Sequence, residues 1–193
     1  MNDLVKEIGR KLFHTLALAF LAAYWLIGYP RIIPWALAWS AFVAAAETAR
    51  LRLPGLNERL LPFFGGIYRE DERRRLTGIF YTSFGALAVF VFFGDKPRIV
   101  AASLFYLVLG DAAAALVGKA FGRRKIAGGE KTLEGSLACF LTCLLVGRAM
   151  GFAAFPGAAA ALAATVIELL PARWFNDNLC MPLGAAAVLR LFM

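Results

Sequence analysis

The sequence predicts an all-α protein, a polytopic bundle of about seven helices embedded in a membrane. Three observations carry that expectation. Sixty-one per cent of the 193 residues are hydrophobic and the mean hydropathy is +0.68, well above the half-apolar make-up of soluble domains. The apolar residues are gathered into long charge-free runs, the pattern of spanning helices. Basic residues crowd alternate loops, the positive-inside signature of a polytopic membrane protein. The length fits one domain, residues 1–193, without a separate soluble module.

The elements follow in order. Leu12–Tyr29 opens behind Arg10 and Lys11. It outruns a signal-peptide core and lacks a small-residue cleavage site, so it is expected to be a mature helix. Ile32–Ala46 comes next and closes at Glu47. The stretch Thr48–Leu76 is amphipathic and charged. Within it, Arg69–Arg75 reads as a solvated charge run, and Leu60–Phe64 suits the interface plane. Leu76–Gly94 and Ile99–Gly118 are the third and fourth predicted spans, followed by Leu133–Gly147, Ala149–Leu170 and Leu179–Leu189. The second, fifth and seventh are short. They are expected to extend into polar flanks, or the seventh to be only partly inserted. Small residues in Ala158–Ala164 and Gly184–Ala187 permit close helix approach. Cys139, Cys143 and Cys180 lie in apolar runs without metal-ligand spacing and read as small core residues.

Charge predicts the orientation. With a cytoplasmic N-terminus and alternating spans, 16 of the 21 basic residues fall on the cytoplasmic side. Only Arg31, Lys96, Arg98, Arg148 and Arg190 fall opposite, with Asp95 the one acid there. Nearly every titratable group therefore gathers at the face where lipid headgroups and cytosolic nucleotides meet. Seven spans would put the C-terminus on the other side.

Against that background Asp111 stands out, the single charge between Ile99 and Gly118. An ionisable group within a spanning helix costs about 2.5–3.5 kcal/mol on insertion scales, so it implies a function or a buried basic partner. Beyond it, Gly122–Thr132 forms a basic, glycine-containing loop carrying Arg123, Lys125 and Lys131. It is not a Walker A motif, because Glu130 precedes Lys131-Thr132 and no strand leads into it. Lys131, Thr132, Glu134 and Ser136 gather at the start of the fifth run, where free N–H groups favour an anion. They fit a helix cap equally, with Thr132 as the capping residue. Arg10 and His14 share one face of the first helix, as an anion contact beside an imidazole or as a plain basic anchor. Asp177-Asn178 is a turn-type dipeptide whose interest comes from lying on the same side as Asp111.

A mechanism can be stated from these residue types. Mg²⁺ takes one or two carboxylates and completes its shell with phosphates and water. Asp111 and Asp177, with Asn178 as a neutral oxygen donor, suit that role. Lys131 with Arg123 and Lys125 would hold β/γ oxygens, and Arg10 or Lys11 would close the other side. His14 or a carboxylate would take the acceptor's proton.

Arg10-Lys11-Leu12-Phe13-His14, Glu47 with Arg50, Glu72 before Leu76-Thr77-Gly78, Gly110-Asp111 through Gly118 and Gly122, Lys131–Ser136, Glu168, and Asp177-Asn178 with Pro182 follow one another in order. This ordered set resembles the polyprenol kinase family, which includes dolichol kinase, plant phytol and farnesol kinases, and the fungal CTP-dependent diacylglycerol kinase. The resemblance implies a membrane enzyme transferring the γ-phosphate of a nucleotide, CTP above others, to a lipid alcohol with Mg²⁺. The alcohol would be a polyprenol type such as dolichol, phytol or geranylgeraniol, or diacylglycerol. Carried onto matching positions, it implies Arg10, Lys11, Asp111, Gly118, Lys131, Glu134, Asp177 and Asn178 as site residues. Thr132 stands where serine is common in the family, which keeps the hydroxyl. Two other readings use the same features: a CDP-lipid synthase attacking the α-phosphate, and a membrane transporter. A transporter should show mid-membrane charges and inverted repeats, which the sequence lacks. No nucleic-acid partner is expected, and the oligomeric state, a homodimer included, is left open.

Overall fold

Leu18–Ile27 (α1) follows a 3₁₀ turn at Thr15–Ala17 and ends at Gly28, whose φ of 78° is a conformation that glycine adopts without Cβ strain. Ile32–Arg52 (α2) runs six residues beyond the predicted end at Ala46. Glu47 and Arg50, one turn apart, pair with each other and so stay inside the helix. Pro54–Leu60 (α3) starts on a proline, whose missing N–H costs nothing at a first helical position. Gly78–Phe93 (α4) and Pro97–Phe105 (α5) follow. A π-turn at Tyr106–Gly110 joins α5 directly to Asp111–Phe121 (α6). Leu133–Ala149 (α7), Ala154–Leu169 (α8) and Asp177–Leu191 (α9) complete the chain. This is a computed structural model, and it describes residues 9, 11, 14–60, 75–126, 131–170 and 176–193. Arg10, the Leu61–Phe64 stretch, most of the Arg69–Arg75 charge run and residues 127–130 of the basic loop lie outside the described residues.

Each of the seven predicted apolar runs coincides with a described helix, and among the described residues there is no strand, only an isolated bridge between Lys125 and Thr132. Ile32–Arg52 and the continuous Pro97–Phe121 are long and apolar enough to cross a bilayer. Thr15–Ile27, Gly78–Phe93 and Ala154–Leu169 are shorter apolar helices. The sixth run begins at Ala154 rather than Ala149 because Met150–Gly151 turns, with Gly151 at φ 75°. The seventh begins earlier than predicted: the Asn176 side chain caps it by accepting from Asn178 N at 3.1 Å, so Asp177 and Asn178 are its first turn.

The long central helix is the hub. On one side Ile99, Tyr106, Cys139, Cys143, Met181 and the alanines of α8 and α9 form a core; on the other Leu21, Tyr24, Phe90, Val100 and Leu104 form a second. All three cysteines are free, Cys139 and Cys143 wholly buried. Two glycines set the approach of the helices that carry acids. A Cβ at Gly110 would stand 2.6 Å from Cys143 Sγ and 2.9 Å from Met181 Cε. A Cβ at Gly85 would stand 2.7 Å from the Asn178 carbonyl oxygen. A larger residue at either position would force its neighbours to shift, so these glycines let the helices carrying Asp111 and Asp177-Asn178 pack closely.

Candidate active site

One cavity of about 850 Å³ runs between α1, α2 and α4. Its polar end is made by Lys11, His14, Glu47, Arg50, Asp111, Asp177 and Asn178; Thr77, Thr82, Ser83 and Asn176 add polar groups, and the rest of its wall is apolar. Residues from four separate parts of the chain meet at the polar end.

Asp111 follows directly on the π-turn, a feature often found at functional sites because it re-aims the next side chain. Its carboxylate accepts a hydrogen bond from Lys11 Nζ in a buried ion pair. His14 Nε2 stands 3.8 Å from the same oxygen. A buried basic partner thus offsets the desolvation of Asp111, which accounts for its tolerance in an apolar helix. The pairing also places a lysine, an imidazole and a carboxylate at one point of the cavity wall.

Lys131 forms the second knot. Its ammonium donates to Glu168 Oε1 at 2.6 Å and to the Glu168 carbonyl, and lies 3.8 Å from Asp177 Oδ2. Glu168 is 5% exposed; the sequence marks it as the close of an apolar run and a member of the ordered set, without a role in the site. Its one local signal is a carboxylate closing an apolar helix. Lys131 reaches the cavity through Asp177, which lines it.

The basic loop is organised differently. Thr132 Oγ1 accepts from Gly135 N at 3.2 Å, the cap that sequence reading offered as the structural role for this residue. Ser136 Oγ donates to the Thr132 carbonyl at 3.0 Å. Glu134 accepts from Arg123 N at 3.1 Å and Arg124 N at 3.3 Å, folding the loop back on the helix start. Gly118 lets α6 approach that cap, since a Cβ there would stand 3.1 Å from Thr132 Oγ1. Arg123 and Lys125 are exposed, and neither lines the large cavity. Arg123, Gly122, Phe121 and Glu134 instead border a separate cavity of about 430 Å³. The structure therefore gathers Lys11, His14, Asp111, Asp177 and Asn178, joins Lys131 to them, and keeps Arg123, Lys125 and Thr132 of the loop with Gly118 and Glu134 of the helices that flank it.

Glu47, Arg50 and Thr77 form a third buried group along the cavity rim. Arg50 Nη2 donates to Glu47 Oε2 at 2.8 Å and to the Arg75 carbonyl at 2.6 Å. Thr77 donates to Glu47 from N and from Oγ1, both at 3.1 Å. Glu47 is 7% and Arg50 2% exposed. Removing one partner of such a pair leaves a buried charge uncompensated, at about 3–5 kcal/mol. Glu47→Ala is therefore expected to lower the Tm of the purified protein by roughly 6–12 °C, taking 3 kcal/mol at 2–4 °C each. An unchanged Tm would show that the group does not hold α2 to the start of α4.

A metal can be tested against this donor set. Among the described residues no three His, Cys, Asp or Glu side chains stand close enough to hold an ion by themselves, so a cation caged by protein alone does not fit. Asp111, Asp177 and Asn178 line one cavity and carry the oxygen donors that Mg²⁺ takes when phosphate and water complete its shell.

A helical protein whose carboxylates and lysines meet at the end of an apolar cavity is of the kind that works on amphiphiles. Comparison with curated proteins specifies this. The chain is 30% identical over 147 residues to CTP-dependent diacylglycerol kinase 1 of Saccharomyces cerevisiae, covering 71% of this chain and 49% of that protein. It is 28% identical over 193 residues to phytol kinase of Synechocystis, covering 94% and 78%. It is 30% identical over 210 residues to probable phytol kinase 1, chloroplastic, of Glycine max, covering 97% and 67%. The chain thus spans about half the length of the yeast relative and two thirds or more of the other two. No family model and no solved structure matches it. The chain belongs to the polyprenol kinase family of lipid kinases.

Proposed function

We propose that this protein is a membrane-embedded, CTP-dependent kinase of a lipid alcohol, with its N-terminus and active site facing the cytoplasm. The observation that carries the reading is the joining of Asp111, Lys11, His14 and Asp177-Asn178 at the polar end of one apolar cavity. The names of the relatives supply the nucleotide and the acceptor class. The charge asymmetry of the sequence supplies the orientation.

In the proposed reaction the acceptor hydroxyl oxygen attacks the γ-phosphorus. The bond to the β-phosphate bridging oxygen breaks, and CDP leaves. The transition state is loose, so positioning and charge neutralisation do most of the work. Mg²⁺, when held by Asp111, Asp177 and Asn178 beside the phosphates, would supply charge neutralisation on the transferring group. Lys131 is placed to move from Glu168 and Asp177 onto phosphate oxygens as they gain charge. Lys11 answers from the opposite wall. His14 is the acceptor for the hydroxyl proton in this reading, because the Asp111 carboxylate beside it is already engaged by Lys11.

A radiolabel assay with purified protein, a panel of nucleotides and a panel of polyprenol, phytol, geranylgeraniol and diacylglycerol tests this reading. Label from a γ-labelled nucleotide is expected in the lipid phase with at least one alcohol. No transfer to any alcohol with any nucleotide would sink it.

A further inference from the structure

The cavity is far larger than a hydroxyl and a phosphate need, and its shape is specific. α1 meets α5 somewhat more than α2, and Tyr24 stacks on Phe90 of α4 with ring centroids 5.4 Å apart. A slot is left between two apolar faces: Leu16, Phe20, Ala23 and Ile27 of the first helix stand at one-turn intervals, and Ile32, Ala36, Trp39 and Val43 of the second face them. Leu16, Trp35, Trp39 and Phe42 line the slot yet are strongly exposed, so it opens sideways between the two helices. Two of its inner polar side chains are paired with each other: Trp39 Nε1 donates to Ser83 Oγ at 3.0 Å. What it offers an occupant is hydrocarbon contact along its length and charge at one end only.

The slot also has a length. From His14 to Ile27 the helix advances roughly 20 Å at 1.5 Å per residue. One leaflet of a bilayer core is about 15 Å deep. A chain that starts at His14 and follows the slot therefore has a path longer than one leaflet is deep. Ile27, Ile32 and Phe90 line its far end, and two small residues, Ala23 and Ala36, stand one turn before it on the two facing helices.

We propose that this slot is the tail channel of the acceptor, a single-chain long prenyl-type alcohol entering from the side, and that Ala23 and Ala36 set the longest chain it takes. The proposal rests on the kinase reading for the identity of the head and adds where the tail lies and what limits it. Filling either alanine position shortens the channel without touching the polar end. Ala38, exposed on the same helix and outside the slot, is the control position.

Two measurements test the proposal. A geranylgeraniol carrying a diazirine on its terminal isoprene is photolysed with the purified protein without nucleotide, and the labelled peptides are mapped. Label is expected on residues 23–36. In parallel, kcat/KM is measured for geraniol, farnesol, geranylgeraniol and a longer polyprenol in wild type, Ala23→Phe, Ala36→Phe and Ala38→Phe. The two slot variants are expected to keep farnesol turnover and to lose at least about tenfold on the longer alcohols, with Ala38→Phe unchanged. Ala36 is buried, so if its variant does not fold, Ala23→Phe, at a half-buried position, decides the matter. Label falling on other helices, or an equal loss at every chain length in a folded variant, overturns the channel while leaving the kinase intact. Label in the slot without phosphate transfer to any alcohol would support the channel and remove the kinase reading.

Discussion

Asp111→Asn is expected to lower kcat/KM by about 100-fold or more, the scale on which losing one preorganised charged contact to a transferring group falls. The substitution keeps the volume of the side chain and one oxygen, so packing around Gly110 and Met181 is undisturbed. It removes the charge that answers Lys11, and a buried ammonium left alone is costly. Stability will therefore fall along with activity, and the two effects must be separated. The double variant Lys11→Met, Asp111→Asn does so, because it removes both charges of the pair. If Asp111 serves only as the partner of Lys11, the double variant regains stability and activity together. If Asp111 holds the nucleotide's metal, stability returns and activity does not. The account expects the second result, read as thermal unfolding beside single-turnover phosphate transfer.

Lys131→Ala is expected to reduce kcat/KM for the nucleotide by roughly 100-fold at saturating alcohol, while the KM for the alcohol changes little. Lys131 ties Glu168 to Asp177 and is a third exposed, so it can exchange those carboxylates for phosphate oxygens when a nucleotide arrives. In the proposed site the alcohol lies against apolar helix surface that this change does not reach. Lys131→Arg keeps the charge but replaces a compact ammonium with a planar fork, so it is expected to recover only part of the loss. An unchanged nucleotide term beside a raised alcohol KM would move Lys131 from the phosphates to the lipid head.

Much of the architecture was legible in the sequence. Charge-free runs marked all seven main helices because uninterrupted apolar composition is a strong, local signal. The boundaries went astray where charges are satisfied inside a helix. Glu47 and Arg50 look like a stop until their pairing is seen, and Asp177 looks like a loop until Asn176 is seen to cap it. Asp111 was legible as a charge out of place. Its partner was not, since Lys11 is 100 residues away and sits among basic residues that any first helix would carry.

Glu168 shows the same limit: nothing local says that Lys131, 37 residues earlier, will fold onto it. The basic loop was legible as basic, but its hydrogen bonding belongs to the loop itself. Glu134 and Thr132 serve the backbone around them, and Arg123 and Lys125 face away from the large cavity. The slot between the first two helices could not be foreseen, because helices apolar on every side do not declare which face will remain unpacked.

The central claim is that a terminal phosphoryl group moves to a lipid hydroxyl at the Asp111 end of the cavity. Purified wild type and Asp111→Asn should be given the same alcohol with either γ-labelled or α-labelled CTP, and the lipid product identified by mass. The account predicts γ-label in an alcohol monophosphate for wild type, its near-complete loss in Asp111→Asn, and no α-label in lipid from either protein. Alpha-label in a CDP-lipid, or full γ-transfer by Asp111→Asn, would contradict it.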